Sequence, residues 1–153
     1  MRVMAIDYGT KAVGVAISDE LQLAVRPLTT IRRERKRYSQ VLDLIRSLVE
    51  THAVGTLVVG MPFNMDGTRG EAAAKVERFV ADLQNRLPIP IVTVDERLTS
   101  IEADQVLRER KVGTHERRML SDQYAAAIML QDYLDQQSRQ SKTGSPPILT
   151  PIN

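Results

Sequence analysis

Cysteine and tryptophan are both absent from this chain, and histidine occurs only twice, at His52 and His115. Without cysteine there is no disulfide framework, no thiolate zinc site and no cysteine nucleophile. With so little imidazole, any metal must be held mainly by oxygen, which favours hard ions such as magnesium or manganese. Both histidines fall near expected helix ends and read as surface residues. Ser18 and Ser121 therefore lack the histidine and acid partners that a hydrolase triad needs. Aromatics are scarce, four Tyr and two Phe, which disfavours a platform of stacked bases. No apolar run approaches the roughly 20 residues that span a bilayer, and Asp7 falls too early for the apolar stretch of a secretory signal. The expectation is a cytoplasmic protein with no membrane partner.

What is present suits one domain. The chain has 153 residues, 42% hydrophobic and 26% charged, enough apolar surface for a single core and none to spare for a second. The net charge of +2 is compatible with a polyanionic partner without demanding one. Its distribution says more: Arg32, Arg33, Arg35, Lys36 and Arg37 crowd one stretch, and Arg108, Arg110, Lys111, Arg117 and Arg118 another. Such runs more often mark solvated helix ends than nucleic-acid sites.

Hydrophobic periodicity lays out the elements. Val3 to Ile6 is a short apolar run closed by Asp7-Tyr8-Gly9-Thr10, and Val13 to Ile17 follows after a connection too short for a crossover, so the two should form an antiparallel hairpin. A third strand near 24–31 extends the meander, with Pro27 marking it as an edge or bulged strand. Tyr38, Val41, Leu42, Ile45, Leu48 and Val49 then recur at helical spacing. Thr56 to Val59 reads as the next strand, stopping at Gly60 and Pro62. Thr68 and Glu71 form a capping box for a second helix with an apolar stripe through Ala72, Val76, Phe79, Val80 and Leu83. Residues 89–94 give the fifth strand, Thr99 and Glu102 open a third helix, and a last helix spans about Glu116 to Gln136. The expected architecture is α/β, with a five-stranded mixed sheet of a three-strand antiparallel meander plus two parallel strands, flanked by helices. Residues 1–136 form the expected domain and 137–153, rich in Ser, Gln, Pro and Thr, the expected flexible tail.

Four acids stand where such a sheet places its ligands, beside or beyond strand ends. Asp7 ends the first strand and Asp95-Glu96 the fifth. Asp122 lies in the last helix, followed by Ala125-Ala126-Ala127, whose small side chains allow a close approach to the sheet. Each acid alone has an ordinary structural reading, as a turn former, a loop acid or a helix acid. Brought together they would repel, and a divalent cation would neutralise them. Two such ions can activate a water and stabilise a phosphodiester displacement.

These residues resemble the YqgF family, also called RuvX, Holliday-junction-resolvase-like proteins of the RNase H-like superfamily. The resemblance rests on Asp7-Tyr8-Gly9-Thr10-Lys11 with Gly14-Val15-Ala16, on Val59-Gly60-Met61-Pro62 with Asn64-Met65-Asp66-Gly67-Thr68, on Asp95-Glu96-Arg97-Leu98-Thr99-Ser100, and on Asp122 with Ala125-Ala126 and Leu130. It implies an RNase H-like fold and a nuclease that matures the 5′ end of precursor 16S rRNA, in association with ribosomal particles. The older assignment by similarity is to resolution of branched DNA junctions. It implies Asp7, the Asp95-Glu96 pair and Asp122 as catalytic acids, with Asp7, Glu96 and Asp122 holding Mg2+ or Mn2+. Glu96 is favoured within its pair, which strand alternation must decide. The related RuvC resolvases carry an acid at the end of the fourth strand, where this chain has Gly60-Met61-Pro62, so here that acid comes from the next strand. Expected phosphate contacts are Lys11, Arg32, Arg33, Arg35, Lys36, Arg37, Asn64, Arg69 and Arg97. The Gly60 to Thr68 loop is a further place where backbone N–H groups would meet a phosphate.

Two other classes compete. Asp7-Tyr8-Gly9-Thr10 also resembles the phosphate loop of the actin and sugar-kinase group, but those enzymes close two lobes around nucleotide and this chain holds one. A non-catalytic RNA-binding assembly factor is the second, against which stands the retention of every expected acid. Exposed helix faces would accommodate a dimer, though nothing in the sequence requires one.

Overall fold

The computed structural model describes residues 1–96 and 99–143. Arg97, the side chains of Thr99 and Glu102, and residues 144–153 lie outside the described residues. The expected Arg97 contact, the second capping box and most of the expected tail lie there with them.

The strands are β1 (Arg2–Tyr8), β2 (Ala12–Ser18), β3 (Val25–Arg32), β4 (Val54–Met61) and β5 (Ile91–Asp95). They form one sheet in the order β3-β2-β1-β4-β5. β1, β2 and β3 make the antiparallel meander, while β4 runs parallel to β1 and β5 parallel to β4. Pro27 acts in both expected ways: β3 is an edge strand, and the register slips opposite Val15 and Ala16, where Thr29 and Pro27 are paired and Leu28 is left over.

Strand alternation divides the core into two layers. Met4 and Ile6 of β1, with Val13, Val15 and Ile17 of β2, pack under α1 (Tyr38–Thr51) and α2 (Glu71–Gln84). The stripe Val41, Leu42, Ile45 and Val49 of α1 meets Ala73, Val76, Phe79, Val80 and Leu83 of α2 in that layer. On the opposite face Val3 and Ala5 of β1, Ala16 of β2 and Val58 of β4 pack against Ala126, Met129, Leu130 and Leu134 of α4 (Thr114–Thr143). The strand residues on this face are small, so α4 lies close to the sheet. α3 (Thr99–Glu109) packs on α4 and buries Ala103 and Leu107.

Three local expectations are corrected. β4 extends through Gly60 to Met61, so Gly60 belongs to the strand and not to the following loop. The first capping box does not form: α2 starts after Gly70 with no side-chain cap. Thr68 is occupied elsewhere, its N–H and Oγ1 both donating to Asp66 Oδ1 at 2.9 and 2.6 Å. This is the local turn that Asp favours over capping. Finally, α4 continues past Gln136 to Thr143. The added turns are polar and exposed up to Gln140, and the sequence offers no helix breaker before Gly144. Among the described residues no helix is long and apolar enough to cross a membrane.

Phe79 is fully buried and its ring stacks on Tyr8 at a centroid separation of 4.0 Å, which ties α2 to the strand that carries Asp7. Phe79→Ala is expected to cost about 3–5 kcal/mol through lost burial and the cavity left behind. Urea unfolding followed by circular dichroism measures this, and a loss below ~1 kcal/mol would show that the α2 layer is not held at this point.

Candidate active site

β1 is the central strand, and Asp7 sits one residue from its C-terminal end. The alternation that puts Met4, Ile6 and Tyr8 under α1 and α2 puts Val3, Ala5 and Asp7 under α4. Asp7 is thus an acid on an otherwise apolar face, roofed by a helix. Gly14 pairs directly with it on β2, and Gly60 lies on the same face of β4, between Val59 and Met61 of the opposite layer. Neither flanking position fills the space beside Asp7 with a side chain.

Both spaces are used by acids from elsewhere in the chain. A Cβ placed on Gly14 would run into the backbone carbonyl of Asp122 and lie 2.7 Å from its Cβ. The absence of a side chain at Gly14 therefore lets α4 rest its backbone on β2 at the turn that carries Asp122. A Cβ placed on Gly60 would run into the Glu96 carboxyl and lie 2.8 Å from Met129 Sδ. Glu96 follows β5 directly, and its N–H donates to the Met61 carbonyl at 3.2 Å, extending the β4–β5 ladder by one bond. That register turns the Glu96 side chain inward over Gly60. An acid from the fifth strand thus fills the place where a side chain of the fourth strand would have stood.

Asp7 and Glu96 are hydrogen-bonded to each other through their side chains. Two carboxyls can do this only by sharing a proton. Burial is the largest cause pushing both upward, Glu96 to about 8 and Asp7 to about 6. For Glu96 the negative charges of Asp7, Asp95 and Asp122 add to the rise, whereas for Asp7 the hydrogen bond from Glu96 opposes it. One proton is therefore held between the two carboxyls, both of which titrate above the ordinary carboxylate range. Asp122, half-buried, is raised mainly by desolvation and is drawn the other way by Arg32. Its repulsion is felt at Asp7 and Glu96.

Of the four expected acids the structure groups Asp7, Glu96 and Asp122. Asp95 is exposed, its side chain on the outer side of the β5 end beside Thr93 and Met61, and its negative charge acts on Glu96. Sequence reasoning did not assign Gly14 and Gly60 their role as the floor of this site. The detectable signal was a glycine inside each strand pattern, which marks close approach of another group.

The expected phosphate contacts separate. Lys11 is exposed in the β1–β2 turn. Arg32, next to Asp122 in charge terms, also meets Glu34 at 3.5 Å. Arg33 is used within the fold: its Nη1 donates to the Gly9 carbonyl at 2.7 Å and its guanidinium lies 4.6 Å from the centre of the Tyr8 ring. Arg35 has positive φ, Lys36 donates to the Arg32 carbonyl and the Arg37 N–H donates to Gln40, so this basic stretch forms the turn into α1. Arg69 is ion-paired with Glu77, and Asn64 donates to Thr68 Oγ1 inside its own loop.

The donor set suits a hard cation, since all three grouped side chains are carboxyls. Thr30 adds to the fit: it pairs with Gly14 in the same row, and its buried Oγ1 has no hydrogen-bond partner among the described residues. A hydrated ion would satisfy both the repelling acids and that hydroxyl. Among the described residues, however, no three potential ligands already converge as a metal cluster. The geometry at hand is a protonated carboxyl pair with a third acid within electrostatic reach.

With this site in view, the relatives can be compared. The model of the RuvX family, described as "Holliday junction resolvase", matches residues 1–136. The chain belongs to the RuvX family. A family relative from Geobacillus kaustophilus (strain HTA426) is 42% identical over 88% of this chain and 98% of its own length. One from Roseiflexus sp. (strain RS-1) is 43% identical over 89% and 95% respectively. Both carry the name "Putative pre-16S rRNA nuclease". Among solved structures, Thermus thermophilus RuvC bound to a Holliday junction superposes with a TM-score of 0.57 at 15% identity, covering 90% of this chain and 96% of that one. The fowlpox virus resolvase with junction DNA gives 0.54 at 11% identity, covering 90% and 99%. These two likenesses establish the RNase H-like fold.

The raised carboxyls set a pH dependence of stability. Asp7 and Glu96 bind protons more tightly folded than unfolded, so in the absence of metal their contribution is fully present below about pH 4, the unfolded carboxylate range. It is lost as pH rises through the folded values of about 6 and 8. Glu96→Gln should keep the hydrogen bond without the charge and melt at higher temperature than the parent at pH 8 in EDTA, with little difference at pH 4.5. Calorimetry at the two pH values measures this, and equal melting curves at pH 8 would exclude the buried acid pair.

Proposed function

We propose that this RuvX-family protein is a nuclease that hydrolyses phosphodiester bonds in a divalent-metal-dependent reaction, with precursor 16S rRNA as its substrate and 5′-end maturation on ribosomal particles in the cytoplasm as its setting. Residues 1–136 constitute the catalytic domain in this reading. The observation that carries it is the joining of Asp7 and Glu96 over Gly60, with Asp122 seated on Gly14.

Asp7, Glu96 and Asp122 are the residues that would hold Mg2+ or Mn2+, in a pair of ions. Such ions, when bound, supply Lewis acidity toward the phosphate and the attacking water. The chain's own work is distinct. In this reading Asp7 and Glu96 hold one shared proton at a buried place, and would give it up on taking a cation. The end of β1, the residue after β5 and α4 present the three carboxyls to one region, where they would close on a cation. Arg32, beside Asp122 and exposed, stands where it would meet a phosphate entering the site. Glu96 is the acid of its pair that we assign to the centre, and Asp95 acts through its charge.

The test is cleavage by the purified protein of structured RNA carrying a precursor 5′ extension, of single-stranded RNA and of four-way DNA junctions, with Mg2+, with Mn2+ and with EDTA. RNA cleavage that requires metal is expected. Preferential cutting of the junction would instead favour the resolvase description of the family, and binding without cleavage would favour an assembly factor. Asp7→Asn should lower the rate by ~10²-fold or more, and Asp95→Asn by far less. An Asp7→Asn protein that cuts at the parent rate would remove this residue from the chemistry.

Gly60→Ala is a sharper probe of the floor. The added methyl must displace the Glu96 carboxyl, and a misplacement of that order can cost about a hundredfold in rate, while Val58, Val59 and the rest of the strand are untouched. Single-turnover rates, with a circular dichroism spectrum to verify the fold, would measure it.

A further inference from the structure

On the face of the sheet opposite the acids, a cleft of about 450 Å³ opens between the β1–β2 turn, α1 and α2, lined by Tyr8, Thr10, Arg33, Tyr38, Lys75 and Arg78. We propose that this cleft binds a backbone phosphate of the nucleic-acid substrate, a second anchoring point on the other face of the sheet at the same end of β1 as the point of cleavage. The inference rests on the nuclease reading above for the identity of its ligand.

Its chemistry is that of an anion site. Three cations line it, and among the described residues none of them is within ion-pair distance of a carboxylate. The acid closest in interaction, Asp82, already accepts the Tyr38 hydroxyl at 2.6 Å. Lys75 and Arg78 stand three residues apart on α2, hence on one helix face, and both are exposed. Arg33 is held firmly, through the Gly9 carbonyl and the Tyr8 ring. That leaves most of its five N–H donors for a ligand in a fixed geometry. Thr10 adds a hydroxyl in the turn. The charged groups that line this open cleft are all cations, which suits an anion over a neutral ligand.

Its position gives the substrate class. Tyr8 follows Asp7 directly, so their side chains leave β1 on opposite faces at the same strand end. A strand whose scissile phosphate lies at Asp7 has only to pass around the β1–β2 turn, past exposed Lys11, for a neighbouring phosphate to enter the cleft. Sequence reading overlooked Lys75 and Arg78 because they are isolated cations on a helix, outside the two basic runs.

The test is fluorescence anisotropy of a labelled precursor-type RNA without divalent metal, as KCl is raised, for the parent, Lys75→Gln/Arg78→Gln and a charge-matched control, Arg26→Gln/Arg46→Gln. Arg26 lies at the far end of β3 and Arg46 in the middle of α1. The cleft variant should bind about tenfold more weakly at low salt, with a log–log salt slope shallower by roughly one to two units, as expected for the loss of up to two phosphate contacts. The control should keep the parent slope. Parent-like affinity and slope in the cleft variant would overturn the proposal, as would an equal change in the control. Orthophosphate or a mononucleotide shifting the NMR signals of the cleft, with RNA binding unaltered by Lys75→Gln/Arg78→Gln, would also overturn it in favour of a free-phosphate site. These outcomes leave the cleavage assay with Asp7→Asn untouched, so failure of the cleft and failure of the nuclease reading are read from separate measurements.

Discussion

The shared proton between Asp7 and Glu96 is the constraint around which the rest of the molecule is arranged. Two carboxyls buried together are stable in the absence of a cation only if one of them is neutral, and the fold makes room for them by leaving Gly14 and Gly60 without side chains beside Asp7. Gly14 and Gly60 on either side of the central strand, and small residues along the α4 face, are consequences of this demand. A bulkier sheet face would raise α4 and separate Asp122 from the pair.

The two layers of the protein consequently differ in kind. The layer under α1 and α2 carries the large apolar residues, Phe79, Ile6, Ile45 and Leu83 among them, and supplies most of the buried volume. The layer under α4 is thinner, built on Ala5, Ala16 and Ala126. It holds the acid group, because close backbone approach is what brings acids from distant parts of the chain together. The larger core and the acid group thereby lie on opposite faces of one sheet, linked through β1, whose successive residues Asp7 and Tyr8 serve one face each.

Electrostatics around the site follow the same division. The acids are held inward, while Arg32 faces Asp122 from β3 and the cations of α2 lie on the other face of the sheet. Much of the conspicuous basic run at 32–37 is spent on shaping the turn into α1, with Arg33 locked onto Tyr8 and Lys36 onto a carbonyl. Isolated cations on a regular helix, less visible in sequence, are the ones that remain available at a cleft.

The sequence by itself determined the element order, the mixed five-stranded sheet and the three chain segments that supply acids, because period-2 and period-3.6 patterns and the short β1–β2 connection leave few topologies open. It misjudged the end of β4 and the cap of α2, where Gly60 and Thr68 have partners remote from, or competing with, the local pattern. Tertiary structure alone decided that Glu96 and not Asp95 turns toward Asp7, since that depends on the single hydrogen bond from the Glu96 N–H to Met61 that sets the facing beyond β5. It alone also decided that two strand glycines are the floor of the site, because the reason for their missing side chains lies in residues far along the chain, and distance between chain segments is not written in local periodicity.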